Sequence, residues 1–368
     1  MTGRALPDFP WDLLAPAEAV ARAHPGGMVD LSVGSPVDPT PAVVAEALRE
    51  ASDAHAYPAV AGTLALREAI TAWYARRRGV ELGPDAVLPT IGSKEFIAGL
   101  PTLLDLGPAD AVVFPTVAYP TYALGAAMAG AVPVAADDPD EWPDNTRVVW
   151  TNSPGNPDGS VLDVPALRAR VERARELGAV ILADECYAEL GWNAPWATAP
   201  TPCILAPEVT GGDLTGVVSV YSLSKQSNLA GYRAAFIGGD PVLLAELLRM
   251  RKHLGLMPPA PVQHAMIAAL GDDAHVAEQK ARYARRRAVL TEALHASGFR
   301  IDASDAGLYL WASRDEDCWA TVDALASAGV LVAPGVFYGE AGAQHVRVAL
   351  TVTDAGAREA ANRLSTLQ

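Results

Sequence analysis

Short apolar runs alternate with longer mixed stretches through much of this chain. Residues 87–91, 180–183 and 217–221 consist mainly of aliphatic side chains, and runs of this length bounded by polar residues are typical of buried strands. The stretches between such runs have the length and composition of helices. This alternation predicts an α/β fold in which a mostly parallel sheet is covered by helices on both faces.

The alternation has limits that indicate two domains. It begins near residue 43 and ends near residue 255, and 368 residues exceed the usual length of one domain. We therefore predict a large domain over 42–255 and a smaller α/β domain after it. The later part is predicted to contain, in order, an arginine-rich helix at 281–297, strands at 308–311 and 346–350, and a helix from Asp354 onward.

Charged residues lie just beyond two of the predicted strands. Asp184 follows residues 180–183, and Lys225 comes shortly after residues 217–221. Open α/β sheets bind ligands at the carboxyl ends of their strands. Taken singly, Asp184 could cap a helix, Tyr187 could be a core aromatic, and a lysine beside serines could be solvated. Their joint occurrence favours a cofactor site.

Four motifs share one order along the chain. They are Asn152-Ser153-Pro154-Gly155-Asn156-Pro157-Asp158-Gly159, Asp184-Glu185-Cys186-Tyr187, Ser222-Leu223-Ser224-Lys225 and Gly231-Tyr232-Arg233. In this order they resemble the fold-type I, class I/II aminotransferases, which use pyridoxal 5′-phosphate. The resemblance implies a large cofactor-binding domain over 42–255. It also implies a discontinuous small domain, formed by residues 1–41 and 256–368, with the active site between the two.

The resemblance assigns a chemical task to each central residue. Lys225 would form an imine with the cofactor aldehyde and later act as general base at the substrate Cα. Asp184 would keep the pyridine nitrogen protonated, so that the ring can accept electrons. Asn156 and Tyr187 would hydrogen-bond the ring's phenolic oxygen, stabilising its anion and lowering the pKa of the lysine imine.

A second group of residues is expected to hold the phosphate and the ring. Residues 87–91 are predicted as a strand, Gly92-Ser93 as a turn and Lys94 as the start of a helix whose N–H groups face an anion. An ordinary βα turn is the alternative. Residues 115–119 resemble the family loop whose aromatic residue stacks on the ring, which assigns this role to Tyr119 with Tyr122 as the competitor; either could be a core tyrosine. The resemblance gives the phosphate group these contacts: Ser93, Lys94, Ser222, Ser224, Arg233 and, from across a dimer interface, Tyr57.

Substrate binding is expected near the C-terminus. Residues 345–350 alternate as a strand that contains Arg347, and a buried arginine requires an anionic partner. A salt bridge to an internal carboxylate is one possibility. The resemblance instead makes Arg347, with Asn156 and the backbone at Gly34, the site of the substrate α-carboxylate. A substrate with a second, distal carboxylate would need another cationic contact. Lys94, Arg251 and Lys252 are equal candidates for that contact.

Composition excludes several classes of binding partner. A formal charge of −15 argues against nucleic acid or an anionic membrane as a partner. The three cysteines lack metal-site or disulfide spacing, and the seven histidines are scattered, so no metal is expected.

Residues 1–8 show no signal peptide. The uncharged residues 117–136 fit a buried helix and a strand better than a membrane span. A cytoplasmic homodimer acting on amino and 2-oxo acids is the expectation.

Further similarity narrows the substrate. Residues 224–233 and 253–263 resemble the succinyldiaminopimelate aminotransferase branch, particularly its actinobacterial form. This implies transamination between N-succinyl-LL-2,6-diaminopimelate and 2-oxoglutarate in lysine and diaminopimelate biosynthesis. Gly155 and Asp158 depart from the histidine and threonine of many relatives. The alternatives are a general aspartate or alanine aminotransferase, a C–S lyase that uses pyridoxal phosphate, and a regulator that binds the cofactor without turnover.

Overall fold

The computed structural model describes residues 10–366 and contains three sheets. The strands are β1 (Val29–Asp30), β2 (Val87–Ile91), β3 (Ala111–Phe114), β4 (Val132–Ala135), β5 (Thr146–Asn152), β6 (Val180–Asp184), β7 (Val217–Ser222), β8 (Ala234–Gly239), β9 (Arg300–Asp302), β10 (Tyr309–Ser313), β11 (Val330–Leu331), β12 (Ala333–Pro334) and β13 (His345–Ala349). The α-helices are α1 (Ala15–Ala23), α2 (Ala42–Glu50), α3 (Leu64–Trp73), α4 (Gly92–Leu103), α5 (Thr121–Ala129), α6 (Val164–Glu176), α7 (Pro207–Thr210), α8 (Leu223–Gln226), α9 (Pro241–Leu254), α10 (Ala260–Gly271), α11 (Asp273–Ala296), α12 (Cys318–Ser327) and α13 (Asp354–Leu364).

The largest sheet has seven strands in the order β2-β8-β7-β6-β5-β3-β4. Every strand runs in the same direction except β8, which is antiparallel to both of its neighbours. Successive side chains of β6 enter opposite apolar cores, with Ile181 and Ala183 on one side and Leu182 on the other. Because both faces are buried, the strands are continuous apolar runs rather than alternating ones. The prediction of a mostly parallel, two-sided sheet is confirmed.

A second region forms around an antiparallel four-stranded sheet in the order β12-β13-β10-β9. The N-terminal segment joins it, because β1 pairs in parallel with β11, and Leu14 and Val29 enter the same apolar core as β10 and β13. Helix α10 packs elsewhere: Val262 and Met266 belong to the core of the large sheet. The two-domain division remains a proposal, and we now place its second boundary after Gly271 rather than at 255.

Several element boundaries differ from the sequence-based ones. Helix α4 begins at Gly92 itself, directly after β2, without a separate turn. Helix α11 begins at Asp273, eight residues before the predicted 281, because the carboxylate of Asp272 accepts a hydrogen bond from the Ala274 N–H and caps the helix. Residues 117–136 do contain a helix, α5, followed by strand β4.

No helix within residues 10–366 combines the length and the apolar character needed to cross a membrane. The prediction about a signal peptide concerns residues 1–8, which lie outside the described part of the chain.

Candidate active site

The carboxyl ends of three neighbouring strands bring the central motifs together. Asn152 at the end of β5 is the register partner of Asp184 at the end of β6, and β7 ends beside them at Ser222. The side-chain amide of Asn152 donates to the Asp184 carbonyl at 2.8 Å, and its oxygen accepts from the Asn156 N–H at 2.8 Å. This amide therefore fixes the loop that carries Asn156 against β6.

Asp184 is a buried carboxylate without a cationic partner among residues 10–366. It accepts hydrogen bonds of 3.1 Å from the Tyr122 hydroxyl and from the Cys186 N–H. Burial raises the pKa of Asp184, although both hydrogen bonds oppose the rise. A carboxylate in this state favours an adjacent cation, as a protonated pyridine nitrogen would be.

The same contacts distinguish the two candidate stacking tyrosines. Tyr122 is fully buried, donates to Asp184 and stacks on Trp150 with ring centroids 5.2 Å apart. One face of its ring and its hydroxyl are thus committed to the protein. Tyr119 is only half-buried and meets Tyr122 edge-on at 5.9 Å, so it remains the better candidate for stacking on a ligand ring.

Lys225 lies in the four-residue helix α8, which follows β7 directly. Its ammonium group donates a hydrogen bond to the carbonyl of Gly34. Burial lowers the pKa of Lys225, and the nearby Arg347 guanidinium lowers it further. An amine with a lowered pKa is more often unprotonated and therefore a better nucleophile toward a carbonyl group.

An anion cradle lies at the amino end of α4. Gly92 has a φ of +73°, and a side chain there would overlap the guanidinium of Arg233, which therefore lies against the first turn of the helix. Burial and the Arg233 charge lower the pKa of Lys94. The buried hydroxyls of Ser222 and Ser224 are 2.8 Å apart, with Ser222 donating. Two neighbouring cations, hydroxyls and a helix start fit a phosphate group.

Arg347 is a buried cation that forms no ion pair with a carboxylate within residues 10–366. It donates to the Asn156 side-chain oxygen at 2.9 Å and to the Ser32 carbonyl at 2.6 Å. Burial alone would lower its pKa, but Tyr309 and other tyrosines outweigh burial, and the net shift is upward. The internal salt bridge considered from sequence is absent from this part of the chain, and the guanidinium fits a planar carboxylate.

Tyr187 and Gly34 meet at Tyr309, a residue for which the sequence offered no role. The hydroxyls of Tyr187 and Tyr309 are 3.3 Å apart, and a side chain at Gly34 would overlap the Tyr309 hydroxyl. Tyr309 lies in β10, where it has the pattern of any core aromatic. No sequence signal marks it, because its neighbours come from three distant segments.

The departures at Gly155 and Asp158 prove to be linked. A side chain at Gly155 would overlap the carboxylate of Asp158, which instead accepts a hydrogen bond from the Ser160 N–H at 3.2 Å. The loop also contacts the second region, because the Ser304 N–H donates to the Asp158 carbonyl at 2.7 Å. In this loop the Asn156 N–H still donates to the side-chain oxygen of Asn152.

Some predicted residues lie apart from this cluster. Tyr57 is 99% exposed and remains a prediction that requires a second subunit. Arg251 is wrong as a candidate for a distal carboxylate, because it is fully buried and forms a bidentate pair with Glu95 at 2.8 and 3.0 Å. Lys252 is exposed on α9, and Lys94 lies with the phosphate cradle.

Together these groups fit pyridoxal phosphate and an amino acid. Within residues 10–366, the site combines a buried anion and a buried cation that form no ion pair, an amine with a lowered pKa, and an anion cradle. Asp184, Lys225, the Gly92–Arg233 cradle and Tyr119 would hold the cofactor, and Arg347 would hold the substrate carboxylate. Such a set can move a proton at the carbon next to a carboxylate.

Comparison with known proteins identifies the family to which the chain is similar. The profile of the family described as aminotransferase class I and II matches residues 26–364. The chain is 53% identical over 363 residues to the 4-dedimethylamino-4-oxo-anhydrotetracycline transaminase of Streptomyces rimosus, covering 98% of this chain and 100% of the relative. It is 32% identical over 370 residues to an LL-diaminopimelate aminotransferase of Dehalococcoides mccartyi, covering 95% and 93%. A solved aminotransferase structure from Neisseria meningitidis has a TM-score of 0.88 at 30% identity, with 98% of each chain covered.

Proposed function

The chain belongs to the class I and II aminotransferases, which use pyridoxal phosphate and have the fold-type I architecture, and on this premise we propose that it transaminates N-succinyl-LL-2,6-diaminopimelate with 2-oxoglutarate. The observation that carries transamination is the buried Arg347, whose guanidinium has no carboxylate partner among the described residues. A substrate that keeps its α-carboxylate supplies that partner. Decarboxylation would remove it during the reaction.

We assign each residue a task that is consistent with its surroundings. Pyridoxal phosphate, when bound, supplies the carbonyl group that accepts the amino group and the ring that withdraws electrons from Cα. Lys225 removes and returns the proton at Cα, which its lowered pKa favours. Asp184 keeps a proton on the ring nitrogen. Asn156 and Tyr187 would bind the ring oxygen and stabilise its anion.

The substrate is supported by sequence similarity on two levels. Residues 224–233 and 253–263 resemble the succinyldiaminopimelate branch, and the relative of 32% identity is named for diaminopimelate. With Arg251 committed to Glu95, the candidates for a distal carboxylate contact are reduced to Lys94 and Lys252. Lys94 lies beside Arg233 in the phosphate cradle. A cofactor phosphate and a distal substrate carboxylate would therefore compete for the charge of Lys94.

A second candidate comes from the relative of 53% identity, whose name describes amination of a keto group on a polycyclic ring. We therefore include a bulky cyclic ketone among the acceptors to be tested. General aspartate or alanine transamination and C–S lysis remain alternatives with distinct products, namely short 2-oxo acids in the first case and a free thiol in the second.

The test is a panel of donors and acceptors. N-succinyl-LL-2,6-diaminopimelate with 2-oxoglutarate should give a kcat/KM at least about tenfold to a hundredfold above alanine or aspartate, because a short substrate leaves the distal cationic contact without its carboxylate. Product mass identifies each reaction. Equal or better use of aspartate or alanine would contradict the substrate, and preferred amination of the cyclic ketone would support the second candidate. An unchanged cofactor spectrum after glutamate is added would indicate a silent binder.

We also propose a cytoplasmic homodimer. The loop around Tyr57 supports this proposal. The Tyr57 side chain is 99% exposed in the single chain, and a second subunit would bury it and bring it to the partner's cofactor phosphate. A chain that sediments as a monomer at the concentrations of the activity assay would contradict the dimer.

A further inference from the structure

Tyr309 occupies the point where three parts of the site meet. Its hydroxyl is 3.3 Å from the hydroxyl of Tyr187, and it lies where a side chain at Gly34 would be. Lys225 donates to the carbonyl of that same glycine. A buried hydroxyl in this position contacts the groups that surround the cofactor without being one of the motif residues.

The ring of Tyr309 is in contact with Arg347. The guanidinium carbon is 3.9 Å from the ring centroid, and both residues are almost fully buried. The arrangement follows from register, because Arg347 on β13 is opposite Trp311 on β10 and diagonal to Tyr309. A cation over an aromatic face withdraws electron density from the ring and makes its hydroxyl a stronger donor.

The two phenols respond in opposite directions to this environment. Burial raises the pKa of Tyr309, but the positive charges of the Arg347 guanidinium and the Lys225 ammonium group outweigh burial, so its pKa lies below the usual value. Burial raises the pKa of Tyr187 well above the usual value. Tyr309 is therefore the better donor of the pair, and Tyr187 the better acceptor.

We propose that Tyr309 is a positioning residue that links the carboxylate site at Arg347 to the hydroxyl of Tyr187. By donating to the Tyr187 oxygen, it directs the proton of Tyr187 toward the ring oxygen of the cofactor and strengthens that hydrogen bond. A carboxylate that neutralises Arg347 weakens the donor strength of Tyr309. Occupancy of the carboxylate site is thus transmitted to the cofactor site. The inference rests on the cofactor site of the proposed function and not on the identity of the amino acid.

The test uses Tyr309→Phe, which keeps the ring over Arg347 and removes only the hydroxyl. The measurement is the pH midpoint of the colour change of bound pyridoxal phosphate, without and with glutarate as an unreactive carboxylate. Without glutarate the midpoint should rise by about half a unit to one unit, because the ring oxygen loses part of its stabilisation. Glutarate should raise the midpoint of the unmodified protein, and this shift should fall below about half in the variant.

A second measurement needs no cofactor. In the cofactor-free protein, the ultraviolet absorbance of tyrosinate should show one tyrosine that ionises before the other buried ones. This early step should be missing from Tyr309→Phe. Its persistence in the variant would assign it to another tyrosine and overturn the argument.

Tyr338→Phe provides the matched control. The ring of Tyr338 is also near Arg347, at 4.8 Å, but its buried hydroxyl has no hydrogen-bond partner among residues 10–366. Removal of the Tyr338 hydroxyl should leave the pH midpoint of the colour change unaltered, both without and with glutarate. The proposal is overturned if Tyr309→Phe leaves the midpoints unchanged or if Tyr338→Phe shifts them equally. The titration requires bound cofactor but no turnover of the succinylated substrate. A negative result with that substrate in the panel would therefore contradict the proposed substrate without affecting the test of Tyr309.

Discussion

Replacing Asp184 by asparagine separates the catalytic role of this residue from any structural one. The side chain is buried, accepts two hydrogen bonds of 3.1 Å and has no ion pair within the described residues. Asparagine has the same shape and can keep both contacts, because its oxygen still accepts from Cys186 and the Tyr122 hydroxyl can turn to accept from its amide. The substitution therefore removes charge and little else.

The expected loss of rate follows from the lost charge pair. Two unit charges about 4 Å apart attract by about 4 kcal/mol at the effective dielectric constant of about 20 that suits protein sites. Since about 1.4 kcal/mol corresponds to a factor of ten, Asp184→Asn should slow the half-reaction with glutamate about a thousandfold. Stopped-flow absorbance of the cofactor-loaded protein measures this rate.

Stability of the cofactor-free protein should change in the opposite direction. Burial raises the pKa of Asp184, so the folded state binds this proton more tightly than the unfolded chain does. The stabilising contribution is therefore complete below the unfolded pKa of about 4 and is lost as the pH rises through the higher folded value. At neutral pH the ionised group opposes folding, and Asp184→Asn should raise the midpoint of thermal unfolding.

Tyr122→Phe is the control, because it removes one hydrogen bond from Asp184 and leaves the charge. Its half-reaction should slow by less than about tenfold. A rate within tenfold of normal in Asp184→Asn would refute the assigned role. A loss of thermal stability that parallels the loss of rate would show that the residue is structural.

Two further predictions concern the lysine and the dimer. Borohydride should fix the cofactor on the peptide that contains Lys225, and labelling of another lysine would contradict the assignment made from its position after β7. Mixing Lys225→Ala with a weakened Tyr57→Ala variant should restore activity once subunits exchange, because a hybrid has one site with both residues intact. If activity stays absent after exchange is demonstrated, Tyr57 does not act across an interface.

Sequence patterns identified the elements whose environment is uniform along their length. The strands at 87–91, 180–183 and 217–221 are buried on both faces, so their apolar runs were sufficient to locate β2, β6 and β7 within one residue. Ligand positions at strand ends follow from the same pattern. The predicted start of the arginine-rich helix was eight residues late, because α11 begins at a cap formed by Asp272. The boundary near 255 was placed where the alternation ends, and α10, which lies beyond it, packs on the core of the large sheet.

The sequence by itself determined the fold class, the family and the motif residues, because these depend on local periodicity and on residue types in a fixed order. Tertiary structure decided the contacts between distant segments. It paired Arg251 with Glu95, brought Tyr122 to Asp184, and placed Tyr309 between Tyr187 and Arg347. Such pairings depend on strand register and packing across the two sheets, and many arrangements of side chains are compatible with the same periodic pattern. Only the folded chain selects one of them.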